Sequence, residues 1–487
     1  METLLKLVQT ANQYLSDYIL IILLVGAGLF FTIRTKFVQI RCFGEGMKKV
    51  FGDLSLRGGK QKSGLSSFQA LATAIAAQVG TGNIVGASGA ILIGGPGAIF
   101  WMWIIAFLGM ATIYAEAVLA QQTKVTDENG NIHGGPVYYI KAAFKGKFGK
   151  VLAGFFAIAI TLALGFMGSM VQSNSIAESV CNAINVNYLD YGWIIGLILA
   201  SIAAFIFIGG ISRIASVAEK IVPIMALFFL LGGLFILGIN VKSIPDTFAL
   251  IFKYAFSPEA LIGGGIGYAL KTAISQGVKR GLFSNEAGMG STPHAHAQAN
   301  VAKPHDQGVV AFIGVFIDTF CGLTKTALVI ITCLYSGNGP LANTDSSTYN
   351  GAIAAAGITK TNAMQMAVSS ALKGIFGETS DLIGGLFVAI CLMFFAFTTI
   401  ISWNFFGKIN MQYLFKGNKA AVLIYSVVSI AFIFFGTLLS NDLVWELTDF
   451  FNYLMVIPNV IAIVALSNIV SKISKTNKEE KKLKKVN

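Results

Sequence analysis

Charge is what this sequence has least of: only 12% of its 487 residues are Asp, Glu, Lys or Arg. A typical soluble domain carries roughly twice that share, so the scarcity argues against one water-soluble core. Cysteine is thin as well. Cys42, Cys181, Cys321, Cys333 and Cys391 show no paired spacing, and neither a disulfide framework nor a metal site is expected. Four histidines, His133, His294, His296 and His305, fall in segments read as cytoplasmic, and His294-x-His296 lacks the further ligands a structural zinc takes. The apolar segments hold no paired carboxylates, no His-x-x-x-His and no Ser/His/Asp set, so no catalytic residue and no enzyme is expected.

What the sequence has in excess is apolar surface. Hydrophobic residues make up 55% of the chain, and the mean hydropathy is +0.71. That much apolar surface belongs in lipid. A spanning helix takes about 20 apolar residues, and eleven such stretches are read at 17–33, 65–93, 98–121, 151–175, 191–209, 217–238, 263–282, 308–335, 383–406, 420–439 and 446–469. The first lacks the basic flank and small-residue cleavage site of a signal peptide and is read as a retained helix.

A net charge of +12 raises the question of nucleic acid, but the 35 Lys and Arg residues are distributed as a membrane protein distributes them. Most lie in 34–62, 122–150, 210–220, 279–305, 407–419 and 471–487, whereas the alternate segments hold Lys6, Lys242, Lys253, Lys360 and Lys373. The positive-inside rule then puts the N-terminus outside and the C-terminus in the cytoplasm. The basic tail from Lys472 to Lys485 is read as a solvated end, and no nucleic-acid partner is expected.

Setting the first helix and its basic loop (1–64) aside leaves two sets of five spans, 65–238 and 263–469, joined by an amphipathic linker at 239–262 and followed by the tail 470–487. Because five is odd, the sets enter from opposite sides, which is the arithmetic of an inverted repeat rocking about a central site. A second amphipathic external loop is read at 336–382.

Within 65–93 the chain reads Ala76-Ala77-Gln78-Val79-Gly80-Thr81-Gly82-Asn83-Ile84-Val85-Gly86. Glycine costs about 1 kcal/mol in a helix interior, and polar groups in hydrocarbon need partners. The cluster therefore predicts an unwound break. Its carbonyls and the Asn83 side-chain oxygen can strip water from Na⁺, the N–H groups of about Gly82 to Val85 can hold a carboxylate, and Thr81 and Gln78 can add hydrogen bonds. Gly86, Gly89 and Gly94 are read as packing glycines. The matching helix of the second half, 263–281, is again glycine-rich and polar, and its break is expected at Ser275 to Gly277.

After it comes Leu282-Phe283-Ser284-Asn285-Glu286-Ala287-Gly288-Met289-Gly290-Ser291-Thr292-Pro293, read as leading out on the cytoplasmic side. Together with Gly80-Thr81-Gly82-Asn83-Ile84, Gly94-Gly95-Pro96-Gly97-Ala98-Ile99-Phe100-Trp101-Met102-Trp103, Gly134-Gly135-Pro136-Val137-Tyr138-Tyr139-Ile140 and Met170-Val171-Gln172-Ser173-Asn174-Ser175-Ile176-Ala177, this stretch resembles the alanine or glycine:cation symporter family over nearly the whole chain. His294 and His296 stand where that pattern is more apolar.

The resemblance implies an all-α polytopic protein of 11 transmembrane helices: the leucine-transporter-like 5+5 core with one extra helix before it. It implies inward symport of a small amino acid such as alanine or glycine with Na⁺, in the cytoplasmic membrane of a prokaryote, with no cofactor beyond the co-transported ion and no obligate protein partner. It also implies a substrate pocket at Gln78, Thr81, Gly82, Phe166, Gln172, Asn174, Gly277 and Trp403, with Phe166 and Trp403 restricting its volume. By fold analogy, Na⁺ would meet the Val79 carbonyl, Asn83, Thr398 and Thr399. The competing readings are the same fold carrying a nucleobase or a larger amino acid, proton coupling, and a passive channel. Glu116, Glu178, Lys271, Asp318 and Lys325 lie in or at the ends of apolar stretches, where a charge demands a partner. Asp318 and Lys325, seven apart, share a helix face.

Overall fold

The computed structural model describes residues 2–52, 65–128, 130, 132–208 and 210–486; Arg57, Lys60 and Lys62 of the basic loop lie outside the described residues. Helices dominate. The one sheet among the described residues pairs Val125–Thr126 antiparallel with Ile132–His133. In chain order the principal helices are α1 (Thr3–Arg34), α2 (Ser67–Gln78), α3 (Gly82–Gly94), α4 (Ala98–Thr123), α5 (Gly146–Ala183), α6 (Tyr188–Ile208), α7 (Arg213–Ile239), α8 (Ile266–Asn285), α9 (Pro304–Tyr335), α10 (Ser380–Leu414), α11 (Lys419–Gly436), α12 (Asn441–Ala465) and α13 (Ser467–Val486).

Among the described residues nine helices are long and apolar enough to span a bilayer, or ten when α2 and α3, bent 46° at their junction, count as one. The eleventh expected stretch, 263–282, does fold as a helix, the 20-residue α8. It falls short on composition, because Lys271, Lys279 and Arg280 interrupt its apolar run. The expected break at Ser275 to Gly277 is absent: α8 continues unbroken to Asn285, and the interruption comes immediately after it.

Local chemistry explains the ends of these elements. A capping box starts α2, where the Ser66 hydroxyl accepts the Gln69 N–H and the Gln69 side chain accepts the Ser66 N–H. Gly97 ahead of α4 presses on the Tyr254 backbone so closely that a Cβ would sit 2.1 Å from it. The amphipathic stretches 239–262 and 336–382 contain the helices Ile244–Phe256, Tyr349–Ala355 and Ala363–Phe376. The last folds back on α10, because Gly377 takes φ +58° and Ser369 then lies against Gly384.

Packing separates a wet-intolerant shell from a polar centre. Phe205, Ile208, Ile224, Leu227, Leu231 and Leu234 on α6 and α7 are exposed, a face that water would penalise and lipid accepts. α4 is largely enclosed and packs against α1, α8 and α9. π-helical turns begin α3 at Gly82–Gly86 and interrupt α5 at Thr161–Gly168 and α9 at Ile317–Leu323, the kind of local widening found often at functional sites.

Lys279 and Arg280 lie within α8 and not in the loop that follows it. Arg280 pairs with Asp449 at 3.0 Å and stacks on the Trp445 ring, and Lys360 of the opposite group stacks on that same ring. Lys279 and Lys271 both face Asp17 of α1, at 3.9 and 3.0 Å. These cations therefore serve inter-helix pairing from within α8.

Candidate functional site

The first break forms where expected. α2 ends at Gln78, the next residue Val79 takes φ −82° and ψ 86°, and the helix α3 starts at Gly82. Two backbone donors freed by the break are met by side chains: Asn83 Oδ1 accepts the Gly80 N–H at 2.9 Å, and Gln172 Oε1 accepts the Thr81 N–H at 3.1 Å. Gln78 Nε2 donates to the Asn285 carbonyl at 2.8 Å and so ties this break to the end of α8. The two interruptions touch, since a Cβ on Gly82 would lie 3.0 Å from Ser284 Cα.

Three polar atoms here stay unmatched: Gln78 Oε1, Thr81 Oγ1 and Gln172 Nε2 are buried without a hydrogen-bond partner. Each such atom costs about 1–3 kcal/mol. A carbonyl oxygen, a hydroxyl and an amide N–H left open on and beside an unwound segment are groups that a small zwitterion can satisfy.

Oxygen atoms cluster at two places beside the break. The Thr399 hydroxyl lies 2.9 Å from the Ala76 carbonyl and 3.4 Å from the Val79 carbonyl. Both threonines also bond back to their own helix, Thr399 to the Phe395 carbonyl at 3.0 Å and Thr398 to the Phe394 and Phe395 carbonyls at 2.9 Å, but Thr398 reaches no carbonyl of the break. In the second cluster Asp318 receives hydrogen bonds from Asn83 Nδ2 at 2.6 Å, Ser284 Oγ at 2.8 Å and Thr319 Oγ1 at 3.3 Å, all neutral donors. Asp318 and Lys325 share a face of α9, and each finds its partners on other helices. Lys325 donates to the Phe229 carbonyl at 2.8 Å and caps the Phe229 ring.

The second interruption follows Asn285. Glu286 takes a left-handed φ of 56°, and Gly288 and Gly290 take φ +92° and +80°, a path that favours glycine. Glu116 of α4 accepts both the Gly288 and the Gly290 N–H at 3.0 Å. Asn459 of α12 donates to Glu116 at 2.6 Å and to the Gly288 carbonyl at 2.9 Å, and Tyr139 bonds to Asn459. The Glu286 carboxylate accepts from Ser291 Oγ and Trp403 Nε1, each at 2.5 Å. The hydrophilic run does not lead out to solvent, as its composition suggested. Residues 281–299 are buried throughout, with His294 held by Ser291 and Asn410 and His296 by Gln307.

Of the residues read as substrate contacts, Gln78, Thr81, Gly82 and Gln172 converge at the first break. Trp403 joins them through Glu286 and through the edge of Phe283, 5.9 Å from its ring. Three others are placed differently. Asn174 spends its amide on Tyr188 and on the Gly436 and Leu439 carbonyls, and its oxygen on Asn441. Phe166 stacks on Phe432 at 4.9 Å, and Gly277 packs on Trp101 and Ala98 of α4. Of the residues read as cation contacts, Val79 and Thr399 meet, Asn83 belongs to the Asp318 cluster, and Thr398 turns to its own helix. Ser284, Glu286 and Asn459 escaped the sequence reading because nothing in one chain says that its two interruptions touch. The signal that could have found them is the run of polar residues 284–286 inside an apolar region.

The whole chain, residues 1–487, matches the sodium:alanine symporter family. It is 38% identical over 466 residues to the sodium/alanine symporter AgcS of Methanococcus maripaludis, covering 96% of this chain and 95% of that one. It is 41% identical over 463 residues to the putative sodium/proton-dependent alanine carrier protein YrbD of Bacillus subtilis, covering 94% and 90%. Among solved structures, MhsT in complex with L-phenylalanine superposes with a TM-score of 0.56 over 86% of this chain and 99% of that one, at 13% identity, a likeness of fold alone. The chain belongs to the sodium:alanine symporter family, a family of membrane transporters and not of enzymes.

Proposed function

We propose that this member of the family imports alanine, glycine or a similarly small amino acid together with Na⁺ by alternating access. The observation that carries the reading is the trio of buried, unpartnered polar atoms at the first break, Gln78 Oε1, Thr81 Oγ1 and Gln172 Nε2, beside the aromatic wall of Phe283 and Trp403. A substrate there replaces missing hydrogen bonds, and tight packing selects a small side chain: a Cβ on Gly80 would already lie 2.5 Å from Thr399 Oγ1, and one on Gly168 2.4 Å from the Trp403 ring. Gln78, Thr81, Gly82, Gln172 and Trp403 form the pocket in this reading. Na⁺ takes the oxygen set of Ala76, Val79 and Thr399, as suits a hard cation.

The architecture proposed around the site is eleven crossings, with α8 as the eleventh: α1, then two inverted sets of five within 65–238 and 263–469, the N-terminus outside and the C-terminus in the cytoplasm. α8 can cross despite its cations because Asp17 and Asp449 pair with them. One charge moving through about 100 mV supplies about 2.3 kcal/mol, enough for roughly fifty-fold accumulation before the Na⁺ concentration gradient is added.

The test is uptake of radiolabelled alanine into proteoliposomes under inward Na⁺, K⁺ or H⁺ gradients. Accumulation above equilibrium with Na⁺ alone is expected, and uptake indifferent to Na⁺ would sink the reading. A second reading, proton coupling, is favoured by the neutral donors that hold Asp318 and by the likeness to the putative sodium/proton-dependent alanine carrier of Bacillus subtilis. Accumulation driven by the H⁺ gradient alone would select it. Simple equilibration under every gradient would mean a channel.

A further inference from the structure

Away from the transport site, on the face carrying the C-terminal helix, three side chains far apart in sequence converge. Cys42 precedes the short helix Phe43–Phe51, Glu45 lies in that helix's first turn, and His305 lies in the first turn of α9. Their ligand atoms all fall within 4.8 Å of one another, with Cys42 and His305 buried.

The spacing within the cluster suits coordination better than a direct ion pair. His305 Nε2 and Glu45 Oε2 stand 3.3 Å apart, longer than the roughly 2.7–2.9 Å of a good charge-assisted hydrogen bond. Two nitrogen or oxygen ligands held about 2.0 Å from a tetrahedral zinc lie about 3.3 Å from each other. The other ring nitrogen of His305 meets the Tyr114 hydroxyl at 2.7 Å, the outer support that fixes the orientation of a metal-binding imidazole. Asn477 of α13 places its amide 2.8 Å from His305 Nε2, and turned over that amide offers an oxygen to the same point. A cavity of about 440 Å³, lined by His305, Asn477 and Ile473, opens beside the cluster and gives an ion a path in. Lys303 and Lys472 on its rim repel a free dication, a repulsion that salt screens, while the thiolate and carboxylate inside keep their attraction.

We propose that Cys42, Glu45 and His305 bind one divalent cation of the zinc class, with the Asn477 side chain or a water as the fourth ligand. A mixed S, N, O set is suited to Zn²⁺ and poorly suited to Na⁺ or Mg²⁺. The bound ion staples the 43–51 helix to the start of α9 and, through Asn477, to α13. No motif announces the site, because 260 residues separate Glu45 from His305.

The test uses the full chain in detergent, stripped with a chelator and titrated with Co²⁺, then competed with Zn²⁺. One Co²⁺ per chain is expected, with a thiolate-to-cobalt band in the near ultraviolet that Zn²⁺ abolishes. Cys42→Ser should remove the band, His305→Gln should weaken Zn²⁺ binding by about 100-fold, and Cys321→Ser should leave both unchanged. A wild-type protein without the band, or a band that survives Cys42→Ser, overturns the proposal. Should His305→Gln fail to fold for want of its Tyr114 bond, Glu45→Gln at the partly exposed position replaces it, and unchanged Zn²⁺ affinity there overturns the proposal equally.

Discussion

At the first interruption Gln78 Oε1, Thr81 Oγ1 and Gln172 Nε2 are buried without partners. At the second, Glu116 holds the Gly288 and Gly290 N–H groups, while Ser291 and Trp403 serve both oxygens of Glu286. Both segments are rich in glycine and polar side chains, and both sit deep among apolar helices. The difference lies in who completes the hydrogen bonding. At the second interruption the glycine N–H groups and the Glu116 and Glu286 carboxylates are matched by the protein itself, with help from α4, α10 and α12, and make a fixed elbow; Thr292 Oγ1 and His296 Nε2, further along, are the atoms without partners there. The first is left unfinished at an energetic cost, which is sensible only where a ligand supplies the remainder.

The largest effect should come from breaking the finished side. Glu116→Ala removes the acceptor of two buried backbone donors and of the Asn459 amide in one step. With about 1–3 kcal/mol for each donor stranded, most of the protein should fail to fold, read as loss of the monodisperse peak in detergent gel filtration. Glu116→Gln keeps one carbonyl acceptor and should recover part of the yield. A Glu116→Ala protein as stable as wild type would mean that the elbow is held by packing and not by this carboxylate.

On the unfinished side, the oxygen cluster around Val79 should respond through the ion. Thr399→Val removes the one hydroxyl that faces the Ala76 and Val79 carbonyls. Losing a ligand-type contact of about 1.5 kcal/mol should raise the Na⁺ concentration for half-maximal uptake roughly tenfold. The adjacent Thr398→Val, which removes bonds within α10 and a weak contact with Met225 Sδ but none with the break, should leave it within about twofold. Equal responses from the two would dissolve the distinction between them.

The contrast between the two interruptions also marks what one sequence can tell. The break after Gln78 was legible because glycine and polar residues at mid-depth are anomalies in a local window, and so was the all-helical membrane fold, which follows from hydropathy and length. The second break was placed ten residues early, at Ser275 to Gly277. Gly277 looked like a breaker, yet it is a packing glycine that lets α8 approach Trp101, and the two uses look identical in sequence. Asn174, polar at mid-depth in α5 like Gln172 two residues before it, satisfies α11 and α12 instead of a ligand. Neither Asp318 meeting Asn83 and Ser284 nor Lys279 meeting Asp17 could be read from spacing, because each joins helices whose order of packing a single chain does not state.

The smallest predicted effect tests the comparison most directly. Thr81→Val is nearly isosteric and deletes a hydroxyl that has no partner inside the protein, while the Thr81 N–H keeps its bond to Gln172. If that hydroxyl waits for substrate, its loss should leave the melting temperature equal to or slightly above wild type, because a buried unpaired group has been removed. The same change should raise the KM for alanine about fivefold, the equivalent of about 1 kcal/mol. A structural hydroxyl would do the reverse, lowering the melting temperature at constant KM. Opposite movement of the two readouts is the signature of a break that its substrate completes, and Glu116→Gln, by lowering stability at unchanged KM, should show the pattern of the elbow that the protein completes on its own.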